Sequence, residues 1–214
     1  MPEKRPEKHA LPAAPGDPII HKSAITTDMN PLCHSYSVSY PRFDGGYSKQ
    51  IEFKVMKSEN AVGALVYHSA SDTFVFVQQF RPAALPLFEK DHPARHAELL
   101  WPLEIVAGSL DPSMDPETMI RKEVEEETGC VVEKLELTQC YFVNPVQSTM
   151  QVHLFIAEVS QFPDSEFFGN EDEGENIRVV RIPSSSAIRM AKEGRIKNSL
   201  TLIAILDFAL RKTL

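Results

Sequence analysis

The chain reads as an α/β protein: a three-layer α/β/α sandwich around a mixed β-sheet, preceded by an N-terminal β-hairpin. Three observations carry this reading. Short runs such as AVGALVYH and TFVFVQQF are apolar at nearly every position, as strands covered on both faces are. Amphipathic stretches of helical length, DPETMIRKEVEEETG and SSSAIRMAKEG, are interleaved with strand-like segments. The resulting order β, β, α, β, β, α supplies helices to both faces of one sheet.

Residues 1 to 20 hold five of the sixteen prolines and little that could be buried, so they are read as a flexible Pro-rich arm. Residues 21 to 57 are expected to form N-terminal strands, because HSYSVSYPRF and YSKQIEFKVM alternate polar and apolar positions about the turn DGG. The remainder, 58 to 214, is read as one domain. It opens with AVGALVYH and TFVFVQQF, joined by the short turn Ser69, Ala70, Ser71 and Asp72. Between Pro82 and Leu100 no clean period appears, and an irregular loop insertion is expected there. LEIVAG is a strand running into a glycine loop; LELTQCYFV, TMQVHLFIAEV and ENIRVVRIP are further strands. The chain closes with SSSAIRMAKEG, a helix stopped at Gly194, and with the more apolar helix SLTLIAILDFALRK.

Composition narrows the function. A chain of 214 residues, 43% hydrophobic and 24% charged, can bury a substantial core. The net charge of −8 argues against nucleic acid or an anionic membrane as main partner, since both reward a basic surface. Three cysteines without CxxC spacing suggest neither a disulfide framework nor a zinc site, and a reducing compartment is the simpler inference. The N-terminus lacks an apolar signal core, and no apolar run approaches the ~18 residues needed to span a bilayer. A cytoplasmic location is therefore expected.

The most telling stretch is Gly108 to Cys130, GSLDPSMDPETMIRKEVEEETGC. With Asp115 as N-cap and Pro116 at the first helical position, Glu123, Glu126 and Glu127 fall at i, i+3 and i+4. At about 100° per residue these three acids share one face, while Glu125 points away. Like charges at this spacing cost an isolated helix a few tenths of a kcal/mol. A hard divalent cation such as Mg²⁺, with Mn²⁺ as substitute, would offset that cost. The plainer reading is a solvated acidic face.

This stretch resembles the Nudix box, G-x5-E-x7-R-E-U-x-E-E-x-G-U with U aliphatic. Gly108, Glu123, Val124, Glu126, Glu127 and Gly129 match at the right spacing. Lys122 stands at the arginine position, Met114 at the first glutamate and Cys130 at the last aliphatic. FKVMK, VQQFRPA, LEIVAGSLD and the acidic loop EDEGENI extend the likeness across residues 35 to 212. These segments resemble the nucleoside-diphosphate-sugar hydrolases, in particular the animal UDP-glucose pyrophosphatase (UDP-sugar diphosphatase) and ADP-ribose pyrophosphatase branch.

The resemblance implies the Nudix fold and Mg²⁺-dependent hydrolysis of a pyrophosphate bond, with UDP-glucose giving UMP and glucose 1-phosphate. The alternative is ADP-ribose giving AMP and ribose 5-phosphate. It implies Glu123 and Glu127 as principal metal ligands, with the Ala107 carbonyl and Glu126 as further ones. Glu173 and Glu175, with Glu126, are the catalytic candidates, as general base or third metal ligand; a solvated acidic loop is the rival for 171 to 175. Arg81 is expected to contact the diphosphate or sugar side, against a surface salt bridge at a strand end. Glu104 is expected at the ligand, against a buried charge partnered by a neighbouring strand. A homodimer formed through the N-terminal strands is implied by resemblance alone. A reading of another class, a Nudix-like module that binds a nucleotide sugar without cleaving it, rests on Met114 and Lys122.

Overall fold

The computed structural model describes residues 19–26, 33–81, 97–170 and 174–213. The Pro-rich segment before Ile19, most of the 82–100 insertion and Glu173 lie outside them. The chain divides into two compact units, Met1–Ser58 with Val146–Ser148, and Glu59–Pro145 with Thr149–Leu214.

The first unit is a three-stranded antiparallel sheet, β1 (Ile19–Thr26), β2 (Cys33–Ser39) and β3 (Ile51–Met56), in that order. The β2–β3 pair is the hairpin expected from alternation, with Tyr36 opposite Phe53. β1 is a strand that the sequence reading left unspecified, and it begins inside the segment read as an arm. Its IIHKSAIT carries mixed polarity and no turn marker, so nothing local announced it.

The second unit holds β4 (Ala61–His68), β5 (Thr73–Gln78), β6 (Val106–Ser109), β7 (Lys134–Phe142), β8 (Gln151–Val159), β9 (Phe167–Phe168) and β10 (Ile177–Pro183). Its helices are α1 (Pro116–Thr128), α2 (Ser184–Lys192) and α3 (Ser199–Thr213), besides a single helical turn at Ala97–Leu100 inside the span read as loop. The strands run β7-β8-β4-β5-β10-β9, with β6 also on β4. β4 and β8 are parallel and the other pairs antiparallel, so the sheet is mixed.

Period-two geometry turns each central strand into two cores. Val62, Ala64 and Val66 of β4, with Val75 and Val77 of β5, pack with Ile120 and Val124 of α1. Leu65, Phe74 and Phe76 point the other way and meet Ala187 of α2 and Ala204, Ile205 and Phe208 of α3. Both faces are therefore covered, which is why these strands read as continuously apolar. Full burial of each such large side chain contributes about 1.5–3 kcal/mol.

One edge of β4 is shared. Ala61 to Ala64 pair with β6, whereas Val66 to His68 pair with β5. Beyond this fork, Val77 and Glu104 exchange backbone hydrogen bonds of 2.8 and 2.9 Å, tying the end of β5 to the segment that leads into β6. Arg81, Glu104 and the glycine loop are thus gathered at one end of the sheet.

α1 starts where its sequence requires: the Asp115 side chain accepts from the Thr118 N–H at 3.1 Å, and Pro116 follows it. It stops at Gly129, whose φ of +66° a side chain resists and whose added Cβ would lie 2.5 Å from the Phe168 ring. Gly129→Ala is expected to cost about 1–3 kcal/mol, seen as a lower urea midpoint at unchanged m-value.

Candidate active site

Because Asp115 and Pro116 set the phase of α1, its last turns present Glu123, Glu126 and Glu127 to one side at three depths. Glu127 is 2% exposed, Glu123 is half-buried and Glu126 lies open. Glu125 is exposed on the opposite side. The glycine loop meets this face directly: a Cβ on Gly108 would stand 2.2 Å from Glu123 Oε1 and 2.3 Å from its Cδ. Only a residue without a side chain lets the Glu123 carboxyl lie against the loop.

Glu127 is the unusual member. Gln79 Nε2 donates to its Oε1 at 3.2 Å, and its buried Oε2 has no hydrogen-bond partner among the described residues. Burial, and then the charge of Glu123, push its pKa from 4.5 up to about 8; Glu175 adds to the rise, while Gln79 and the Ala107 N–H oppose it. The Ala107 backbone therefore faces the Glu127 carboxyl.

This donor set fits a hard divalent cation: a buried carboxylate repelled by Glu123 and Glu175, with one oxygen unpartnered among the described residues, beside a loop backbone. It is not closed into a ligand cage, since among the described residues no group of three His, Cys, Asp or Glu side chains already stands as a metal site. Glu126 is turned away to Lys122, at 3.3 Å. Lys122 thus pairs one turn forward along the helix. Glu175 is half-buried, its Oε2 accepting from the Asn170 N–H at 3.1 Å. Glu173 falls outside the described residues.

A second cluster forms at the fork of the sheet. Glu104, 5% exposed, accepts from Arg81 Nε at 2.8 Å on Oε2 and from Asn198 Nδ2 at 2.6 Å on Oε1. Both carboxylate oxygens are committed, so Glu104 stands behind Arg81 instead of facing open space. The Arg81 side chain is 41% exposed, and the bond to Glu104 is made by Nε, the nitrogen nearest the chain.

Gln79 and Asn198 are the site residues that sequence reasoning missed. Gln79 had one local signal, a buried polar side chain just past an apolar strand. Asn198 had none. Other tempting residues resolve plainly. The His68 ring meets Ser71 Oγ at 2.7 Å and the Ser160 carbonyl at 3.0 Å, a brace between turns. Cys130 is 1% exposed, a small buried plug whose thiol burial pushes up. Trp101 and Phe142 are about half exposed, at 48% and 51%. Trp101 packs on Phe80 at the strand end, with ring centroids 5.4 Å apart.

Residues 57–197 match the NUDIX domain family. The chain belongs to that family and is a Nudix hydrolase. It is 32% identical over 175 residues to a GDP-mannose pyrophosphatase of Pectobacterium atrosepticum, covering 81% of this chain and 84% of the relative. It is 26% identical over 170 residues to an ADP-ribose pyrophosphatase of Escherichia coli, covering 79% and 77%. A crystal structure of an ADP compounds hydrolase superposes with a TM-score of 0.65 over 92% of this chain and 95% of that one, at 15% identity, which establishes the shared fold.

The state of Glu127 has a measurable consequence. Its carboxyl holds a proton to about pH 8 when folded, against an ordinary 4.5, so folding takes up a proton between these values. The stability this group contributes is complete below the lower value and is lost as pH rises through the upper one. In protein stripped of divalent ions, Glu127→Gln is expected to match the parent Tm near pH ~4.5 and to exceed it increasingly toward pH ~9, followed by circular dichroism. A difference independent of pH would contradict the burial described.

Proposed function

We propose that this chain hydrolyses the pyrophosphate bond of a nucleoside diphosphate sugar, releasing a nucleoside monophosphate and a sugar phosphate. The observation that carries the reading is the buried Glu127 carboxyl, one oxygen of which has no partner among the described residues, flanked by Glu123 over Gly108. The names of the relatives, pyrophosphatases of GDP-mannose and of ADP-ribose, support the substrate class. UDP-glucose is the first choice within it, on the resemblance of FRPA and the surrounding segments. ADP-ribose stands beside it on the relatives.

A divalent cation held by Glu123 and Glu127, with Glu126 and the Ala107 carbonyl as further ligands, would neutralise phosphate oxygens and lower the pKa of water in its shell. Mg²⁺ is proposed, with Mn²⁺ as substitute. The protein's own groups do the rest. Glu126 must leave Lys122 to join the other two carboxylates, and both groups are exposed enough for this to cost little. Glu175, and Glu173 in the same loop, are the proposed bases for the attacking water. Arg81 is proposed to bind the diphosphate through its two terminal nitrogens, a planar fork suited to phosphate oxygens. Glu104 fixes its direction, a role one step removed from the direct contact first expected. The non-catalytic alternative is disfavoured because the acid set is complete. Homodimer formation through the N-terminal sheet remains part of the proposal, β3 being a strand with Ile51, Phe53 and Met56 exposed.

The test is product analysis with Mg²⁺ and UDP-glucose, ADP-ribose, GDP-mannose and nucleoside triphosphates offered separately. UMP with glucose 1-phosphate, or AMP with ribose 5-phosphate, is the expected outcome; no turnover of any diphosphate sugar would overturn the proposal. Glu123→Gln and Glu127→Gln are each expected to lose about 10²-fold or more in rate while remaining folded. Chelation is expected to abolish turnover and added Mg²⁺ to restore it.

A further inference from the structure

Asn198 is placed with unusual definition. It stands immediately before α3, its carbonyl accepting from the Leu202 N–H at 3.0 Å and its Oδ1 from the Thr201 N–H at 2.9 Å, the two bonds of an N-cap. Oδ1 also accepts from Thr201 Oγ1 at 3.1 Å. Thr201 is itself 0% exposed and its Oγ1 accepts from the Ile105 N–H at 3.0 Å, so it cannot turn away. Two donors therefore fix which end of the amide is oxygen. Nδ2 is left pointing one way only, at Glu104 Oε1, 2.6 Å distant.

The other oxygen of that carboxylate accepts from Arg81 Nε. Ile105, whose N–H anchors Thr201, is the next residue after Glu104, so the cap and the carboxylate are tied both through side chains and through backbone. Without the amide, Glu104 could rotate about its side-chain bonds and carry the guanidinium with it. Arg81, 41% exposed at a strand end, is held through its Nε by this carboxylate.

We propose that Asn198 is a positioning residue for substrate binding: it locks Glu104 from one side so that Glu104 can aim the Arg81 guanidinium from the other. The start of the C-terminal helix thereby sets the direction of the arginine. The inference rests on the reading that Arg81 binds the diphosphate, and its test separates the two.

Asn198→Asp is the informative variant. Asp caps a helix as well as Asn, so α3 is expected to keep its start and the protein its circular dichroism spectrum. The new carboxylate faces that of Glu104, however, and the clamp opens. With UDP-glucose or ADP-ribose, whichever the parent turns over, KM is expected to rise about 10-fold with kcat nearly unchanged. The double variant Glu104→Gln with Asn198→Asp re-forms the clamp with donor and acceptor exchanged: the introduced glutamine donates its amide to the introduced aspartate, and its carbonyl accepts from Arg81. It is expected to reverse most of the rise in KM. In an Arg81→Ala background, Asn198→Asp is expected to add less than about 2-fold, because the effect runs through the arginine. Independently of turnover, the Arg81 Nε–H resonance in a proton–nitrogen correlation spectrum is expected to shift in Asn198→Asp and to return in the double variant. If Arg81→Ala raises KM but Asn198→Asp leaves KM and that resonance unchanged, the inference fails alone. If Arg81→Ala leaves KM unchanged, the binding role of Arg81 fails and takes the inference with it.

Discussion

An almost fully buried carboxyl with only one of its oxygens hydrogen-bonded among the described residues is the constraint on which the rest of the site depends. Glu127 lies beneath α1, 2% exposed, and its charged form is disfavoured by burial and by Glu123 and Glu175 together. A fold accepts such a group only if surrounding packing leaves it no escape. Here Ile120 and Val124 seat the helix on β4 and β5, and Thr128, 0% exposed, closes the turn after it. The liability sits where function is proposed, in keeping with the general tendency of proteins to concentrate strain at their sites.

The same helix explains why Gly108 and Gln79 are what they are. Gly108 leaves room for the Glu123 carboxyl, and Gln79 offers Glu127 a neutral donor that orients it without discharging it. A lysine at position 79 would replace that neutral hydrogen bond by an ion pair and offset the charge the cation is proposed to meet. The Arg81–Glu104–Asn198 chain follows the opposite logic: each oxygen of the buried Glu104 carboxylate accepts a hydrogen bond, one from Arg81 and one from Asn198. One cluster is left unsatisfied where a cation is proposed, and the other is satisfied so that one cation, the arginine, is held still.

Much of this was legible in the sequence. The start of α1 followed from Asp115 and Pro116, its end from Gly129, and the central strands from apolar runs such as AVGALVYH. The shared face of Glu123, Glu126 and Glu127 followed from helical spacing. Which of the three would be buried was also present, since Ile120, Val124 and Glu127 form one stripe at i, i+4 and i+7, although reading it requires knowing that this stripe faces the sheet. Asn198 and its bond to Glu104 were not legible, because they depend on where two segments far apart in sequence meet. β1 was hidden by its mixed polarity. Trp101 and Phe142 look like core residues by type, yet both lie half exposed.

The parallel pairing of β4 with β8 has a consequence for how the protein is made. Ala61 meets Val152 and His68 meets Val159, so one flank of the central strand waits for a partner synthesised much later. During translation β5 and β6 can dock early on the other flank, while the open one exposes a run of valine, alanine and leucine to any similar strand nearby. Nascent chains stalled before Gln151 should therefore be sticky and chaperone-dependent, and truncation ahead of that strand should yield aggregates rather than a smaller folded protein.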